Sequence, residues 1–563
     1  MCESVNTATT GKAGPTSDAP LNSHNVETRF SGGFVDAVLL IAAWTVFLFA
    51  VQEYTTGSNY PLPWVKAVGS RTIRLLLDLL ACGTAVLLLT GKVGSARGWH
   101  LHVALIGGSL ALSVMVVYYE YFDRALSWTT ITYHYSEGWA VFGFATQLLR
   151  RPSIALIAGA TVILVLLARR VNRTLPPFRK RANFAALCGI AYLLLALLST
   201  QYIDKIKKLK TFATVDRLAM TNGYLLTWYG EWRYLNADAL LVRAMEAARV
   251  KQDRLTPLEP VLSVGDKVTI IQVESLDYDV VGLEVGGQHV MPFLRDLFDR
   301  SMRYRITAIH KSGSCDSDFA MLMNLNPAGD VTPYVVTGFD WSPSLAALAA
   351  QGGYRSVFLH GNDHNFFNRG PVVNQMGFDQ VLFRAELESQ FKMTSKHWGV
   401  SDEDVFAVSS AMLNEDAGRA LHFLITLTSH GPYHFLDPED CELFPTPSSA
   451  REHYLNSMRY VDRQLQTYIG SLPDDTLVVL YGDHSSHVDY GQEPVIKGVE
   501  RVPFLIYRVG TDSTGLSGDW AQKQKTRDQD ISISGELTTL DAAGYVWSFL
   551  RAAAINRRNR RPN

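Results

Sequence analysis

The chain has almost no net charge. Its 563 residues include 52 Lys and Arg against 54 Asp and Glu, a formal charge of −2. No basic surplus is available to neutralise a phosphate backbone, so nucleic-acid binding is not expected. Cysteine is scarce. The five residues, Cys2, Cys82, Cys188, Cys315 and Cys441, show no CxxC spacing of a metal site. Cys82 and Cys188 lie in apolar runs and read as small buried residues. A disulfide between Cys315 and Cys441 is compatible with the sequence and nothing more. A removed signal peptide is also missing: the first apolar run begins only at Phe34 and has no small-residue cleavage site, so it reads as an anchor.

Long apolar runs fill the first 200 residues. Five stand out, at 34–51, 73–89, 101–118, 153–168 and 184–200. Each is close to the length that crosses a hydrocarbon core of roughly 30 Å as a helix. The last two are short, and a buried hairpin is the alternative for them. The link "ARRVNRTLPPFRKRANF" carries six basic residues between the fourth and fifth runs. By the positive-inside rule that link is cytoplasmic. Five spans then put the N-terminal tail, 1–33, inside and everything after residue 200 outside. The four lysines of "DKIKKLK" (204–210) run against this assignment, and a segment resting on anionic head groups accommodates them. Arg74 and Asp78 stand four apart in the second run, which allows an ion pair within one helix. Residues 201–260 mix Trp and Tyr with helical periodicity and read as a linker near the bilayer surface.

From about residue 261 the pattern changes. Short apolar runs recur at 267–275, 303–311, 355–362, 422–430, 476–484 and 502–508, without clean alternation. Such runs suit strands buried on both faces of a largely parallel sheet, with crossover helices such as "HVMPFLRDLFDRSM" between them. Four of the runs close on ionisable residues: Glu274, His360, His430, and Asp483 with His484. Ligands of open α/β sheets bind at the carboxyl ends of strands, so these groups are expected at one edge. Glu274, Asp483 and His484 form an O,O,N ligand set. It suits Mn²⁺ or Zn²⁺ better than Mg²⁺ and leaves a coordination position open. The stretch "HKSGSCDSDFAMLM" offers Ser314, Cys315 and Ser317 as nucleophiles, or as the start of a helix.

Six blocks in order, "IIQVESLD", "SGSCDSDFAMLMNL", "FLHGNDHNFFNRG", "WGVSDEDVF", "ITLTSHGPYHF" and "VVLYGDHSSH", resemble those of the lipoteichoic acid synthase family. These are membrane-bound phosphoglycerol transferases of the alkaline phosphatase and sulfatase superfamily. The resemblance runs over roughly 265–545. It implies a five-helix transmembrane region (34–200), then an extracytoplasmic α/β alkaline phosphatase-like catalytic domain (261–550) with a largely parallel central sheet, and a basic tail (551–563) that reads as a solvated end. Glu274, Asp483 and His484 look like the metal ligands, with Ser314 as nucleophile and fourth ligand where the family commonly has threonine. His360, Phe367, Arg369 and His430 look like the head-group site. Phe367 stands for the family's tryptophan, which removes an N–H donor. Asp318 stands for its glutamate.

The resemblance implies one divalent metal, Mn²⁺ first, with Zn²⁺ or Mg²⁺ as alternatives. It implies a phospholipid donor, phosphatidylglycerol first, a glycan or polymer acceptor, and a bacterial cell membrane. Phosphoethanolamine transfer, phosphodiester hydrolysis and an inactive membrane scaffold or glycan-binding protein are the rival readings. A formylglycine sulfatase is not expected, because neither Ser314 nor Cys315 is followed by the required Pro and Arg. His364, His434 and His487 fall in no motif that supplies a second metal. His364 and His434 are expected to be exposed loop residues, and His487 to lie behind the ligands.

Overall fold

The computed structural model describes residues 23–56, 64–90, 96–122, 125–140, 152–174, 178–198, 213–252, 265–327, 331–396, 398–486, 488–491, 499–510 and 537–560. The chain divides into two compact units.

The first unit is helical: Ser23–Thr56, Trp64–Leu89, Ala96–Phe122, Pro152–Thr174 and Phe178–Leu198. Four stretches are long and apolar enough to cross a membrane: Phe34–Thr56, Val68–Leu89, Trp99–Glu120 and Pro152–Arg173. The fifth expected span is corrected. Among the described residues the apolar part of Phe178–Leu198, Arg181–Leu197, is shorter than the other four. Leu40, Val86, Leu101, Leu105 and Leu164 form an interior, while Phe34, Leu110, Leu156 and Leu187 stay exposed. A helix that is apolar on its outer face as well fits a lipid surrounding. Arg74 pairs with Glu53 of the first helix at 2.5 Å, and Asp78 accepts from Gln52 at 3.2 Å. The charges of the second helix are therefore met across a helix pair, beyond the single pair that spacing suggested.

The second unit holds the α/β domain together with three helices, Trp128–Ala140, Ala213–Tyr234 and Ala237–Gln252. Thr129 donates to Glu231 through its N–H (3.0 Å) and its hydroxyl (3.1 Å), and Tyr133 donates to Asp238 (2.7 Å). His134 Nε2 accepts from the Thr332 N–H at 3.2 Å, which ties these helices to the domain. The basic segment 204–210 lies outside the described residues.

Seven strands form the central sheet: β1 Lys267–Val273, β2 Met302–Thr307, β3 Arg355–His360, β4 Gln380–Leu382, β5 Ala420–Ile425, β6 Leu477–Gly482 and β7 Arg501–Arg508. Their order is β2-β7-β6-β1-β5-β3-β4. Strand β1 pairs in parallel with β6 and β5, and β3 pairs in parallel with β5 and β4. Only β7 runs the other way, antiparallel to both β6 and β2. The sheet is thus largely parallel, as the unalternating apolar runs require. Every residue of β5 and β6 is buried, because helices cover both faces. One face packs on Cys315–Met323 and Thr539–Arg560, the other on Ala450–Ser471. The basic tail ends the last helix, which runs to Arg560: Ala553 and Ala554 are buried, residues 555–559 are exposed, and Arg557 donates to Ala350 O at 3.2 Å. Cys315 and Cys441 are both free thiols, so the disulfide left open by the sequence is not made.

Candidate active site

Since β1, β2, β3, β5 and β6 run in one direction, their carboxyl ends share one edge. Glu274 follows β1, and Asp483 and His484 follow β6. Their ligand atoms lie within 4.8 Å of one another and all three residues are buried. The turns that carry them are interlocked. Ser275, at φ 55°, donates its N–H to Asp483 Oδ1 at 2.8 Å. Ser429 donates to Glu274 O at 2.6 Å, and Glu274 N–H donates to Thr426 Oγ1 at 2.9 Å. Asp277 holds the far side of the β6 turn by accepting from the Ser485 and Ser486 hydroxyls, each at 2.6 Å.

Two observations show that this cluster fits a cation. Asp483 Oδ2 is buried and has no hydrogen-bond partner among the described residues. His484 Nδ1 donates to Ser485 O (2.8 Å), which leaves the ring's Nε2 facing Glu274 Oε1 at 3.1 Å. In a neutral ring that contact sets lone pair against lone pair, so a proton or a metal ion belongs between them. Burial and the Glu274 carboxylate push the Asp483 carboxyl well up. Burial also raises Glu274, but His430 and His484 outweigh it and hold that carboxyl below the usual range. A single cation shared by the three groups removes this conflict.

The nucleophile candidates sit at the start of the helix Cys315–Met323, with Ser314 at its N-cap. Asp316 shapes the approach by accepting from Lys311 N–H (2.6 Å) and Ser312 N–H (2.5 Å). Ser317 donates to Asp483 O at 2.6 Å, so its hydroxyl is committed to joining this helix to the β6 turn. Cys315 is fully buried in the core, and burial together with the Asp316 and Asp318 charges pushes its thiol well up. Of the three, Ser314 is left with an uncommitted role. It stands at a helix N-terminus, where an anionic phosphoryl group is favoured.

His360, Phe367 and Arg369 are brought together beyond β3. Arg369 forks onto Asp318 through Nε (2.9 Å) and Nη2 (3.3 Å), and both side chains are buried. Tyr334 donates to the same carboxylate at 3.1 Å. Burial pushes Asp318 up to about 6 against the pull of Arg369. Arg369 Nη1 donates to His360 Nε2 at 3.2 Å, and His360 Nδ1 donates to Ile425 O at 3.1 Å. An arginine cannot accept a hydrogen bond, so the tautomer of His360 is set. Burial, then Arg369, hold its pKa down to about 3. His360 therefore acts as a neutral orienting group with both ring nitrogens engaged. Arg369 keeps two of its five N–H groups for a ligand. Phe367, at φ 56°, lies over the turn before Ser314: a Cβ on Gly313 (φ 147°) would stand 2.8 Å from its ring. Its apolar ring closes that turn.

His430 lies in the turn after β5. Two residues that sequence reasoning passed over hold it. Asp402, buried at the start of the helix Asp402–Glu415, accepts from the N–H groups of Leu427 (2.6 Å) and Thr428 (3.1 Å). Trp398 packs on His430 with ring centroids 4.6 Å apart. Both belong to the block "WGVSDEDVF", and an acid directly after an N-cap Ser was the available signal. His364 and His434 are exposed or nearly so and lie outside the ligand cluster; His487 lies outside the described residues. A second possible ligand group, His310, His484 and Glu500, shares His484. His310 stacks on His484 at 4.3 Å and meets Glu500 at 3.0 Å, an arrangement that orients the His484 ring.

Residues 267–541 match the sulfatase family model. The lipoteichoic acid synthase of Staphylococcus saprophyticus is 29% identical over 249 residues, covering 42% of this chain and 38% of that protein. Lipoteichoic acid synthase 1 of Bacillus subtilis is 23% identical over 479 residues, covering 78% of this chain and 72% of its own length. Among solved structures, the lipoteichoic acid synthase LtaP from Listeria monocytogenes aligns with a TM-score of 0.41 and 23% identity, over 47% of this chain and 72% of that one. The chain thus spans well under half the length of the staphylococcal relative. Residues 267–541 thus match the sulfatase family model, and over that region the chain is similar to lipoteichoic acid synthases.

Proposed function

We propose that this protein is a membrane-anchored phosphotransferase that moves phosphoglycerol from phosphatidylglycerol to a hydroxyl of an extracytoplasmic glycan or polymer. The observation that carries the reading is the buried cluster of Glu274, Asp483 and His484 beside a helix N-terminus with Ser314 at the N-cap position. Glu274, Asp483, His484 and Ser314 would hold a divalent cation, Mn²⁺ first, whose positive charge would make the Ser314 hydroxyl easier to ionise.

The chain's own residues perform the rest. Ser314 Oγ attacks the phosphorus of the lipid head group. The bond from phosphorus to the diacylglycerol oxygen breaks, and that oxygen takes a proton. The glycerol phosphate is left esterified to Ser314. An acceptor hydroxyl then attacks the same phosphorus, and Ser314 leaves and regains its proton. Arg369 neutralises phosphoryl oxygens with its two remaining N–H groups. His430 donates to the head group or moves the proton. His360 keeps Arg369 in place. The apolar helices hold the domain where a lipid donor can be reached, and the domain faces the outside of the cell membrane.

The test uses full-length protein in detergent with phosphatidylglycerol and phosphatidylethanolamine labelled in the head group. Label on a Ser314 peptide from phosphatidylglycerol supports the reading, and Ser314→Ala abolishes it. Label from phosphatidylethanolamine instead makes the protein a phosphoethanolamine transferase. Free glycerol phosphate without an acceptor makes it a hydrolase, and no turnover with metal bound makes it a scaffold.

A further inference from the structure

Beyond His430 lies a cavity of about 240 Å³ that no step above uses. Its floor is Leu427 and Thr428, the start of the turn that carries His430, and Trp398 stands between the two, lining the cavity and packing on the His430 ring. Phe435 and Tyr460 complete an aromatic wall, with Phe435 6.0 Å from Trp398 in an edge-on arrangement. Aromatic side chains beside polar groups suit a ring that is apolar on its C–H face and polar at its rim.

The charge of the lining is one-sided. Lys396 stands against Glu403, Asp404, Asp437 and Asp440. Lys396 is paired with Asp437 (2.5 Å), and Arg463 pairs with Asp440 (2.5 Å). Glu403 and Asp404 meet hydroxyls, of Tyr460 (3.5 Å) and Ser401 (3.1 Å). Four carboxylates against two cations leave an excess of two negative charges. A chain of phosphodiesters brought here meets like charge, which disfavours it. An uncharged sugar meets none, and finds carboxylate acceptors for its hydroxyls.

We propose that this cavity is the acceptor subsite, and that it takes an uncharged sugar rather than an anionic polyglycerol phosphate. The inference rests on the phosphotransferase reading for its role, while sugar binding itself does not. The sugar stacks on Trp398 and Phe435 and presents a hydroxyl past His430 toward the phosphoryl group on Ser314.

Full-length protein in detergent, with labelled phosphatidylglycerol as donor, is assayed with methyl β-glucoside and with a short glycerol phosphate oligomer as acceptors. The wild type transfers to the glucoside in preference. Trp398→Ala and Phe435→Ala raise the KM for the glucoside ten-fold or more, Trp398→Phe restores most of it, and Glu403→Lys shifts preference toward the oligomer. Ser314 labelling without acceptor is measured in Phe435→Ala and Glu403→Lys, whose side chains do not pack on His430, and an equal loss there attributes the effect to the donor site and overturns the assignment. Unchanged glucoside KM in both alanine variants, or wild-type preference for the oligomer, also overturns it. If Ser314 is never labelled, the phosphotransferase reading fails by itself. Titration of tryptophan fluorescence with methyl β-glucoside then decides the cavity: a saturable change lost in Trp398→Ala keeps a sugar site, and no change removes it.

Discussion

Asp318→Ala leaves Arg369 buried without a counter-charge. The Arg369 side chain is 2% exposed and the Asp318 side chain is not exposed at all, so water cannot replace the lost carboxylate. Two forked hydrogen bonds disappear, and the one from Tyr334 with them. Removing one partner of a buried pair costs about 3–5 kcal/mol. In a domain of this size each kcal/mol shifts Tm by about 2 °C, so the melting temperature should fall by about 6–10 °C. The same reasoning makes a second demand. If Arg369 holds a phosphoryl group, an anion in the site supplies the missing charge, and millimolar sn-glycerol 1-phosphate should restore more Tm in the variant than it adds to the wild type. Asp318→Glu should keep the pair and most of the stability. The assay is a thermal scan of full-length protein in detergent at pH 7.5, with and without the ligand. A fall under about 2 °C would refute the pairing energy. A full fall without rescue by the ligand would refute Arg369 as a phosphate-binding group.

Asp402→Asn should lower kcat with little change in metal affinity, because one of the two N–H groups that shape the His430 turn loses its acceptor; an unfilled buried donor costs about 1–3 kcal/mol, and Asp402→Ala should cost more. His422, held neutral down to about pH 3 by burial and then by Lys267, gains its proton only in the unfolded state. Between pH 6 and 4 the unfolded chain therefore binds more protons, and the wild type should lose stability by about 1.4 kcal/mol per pH unit relative to His422→Gln, read by denaturant titration. Burial raises Asp402 and Asp462 to about 6, which runs the opposite way, so only the difference between the two proteins isolates the histidine. Cys315 should resist alkylation by iodoacetamide in the native protein at pH 8, and Cys315→Ala should keep Ser314 labelling; rapid alkylation with loss of labelling would reopen the thiol as nucleophile.

The chemistry of the site was legible in the sequence where it follows from local pattern. Runs such as "KVTIIQVES" and "TLVVLYGDH" are too apolar to alternate, so they must be buried strands, and a polar end on a buried strand of a parallel sheet can only reach the shared edge. The helix after Ser314 was legible for the same reason, because small polar residues before "FAMLM" make an N-terminus. What lay hidden depends on residues far apart in the chain. Asp402 looks like any acid in a first helical turn until β5 brings Leu427 beneath it. Trp398 gains meaning only beside His430.

The sequence by itself therefore determined which elements form and which side chains can do chemistry, since periodicity and residue type act over a few neighbours. Only the tertiary structure decided among equivalent groups. Burial in the core made Cys315 a packing residue, a bond to Asp483 O committed Ser317, and Arg369 at its Nε2 made His360 a neutral brace. Desolvation and long-range pairing set those outcomes, and neither is a property of the local chain.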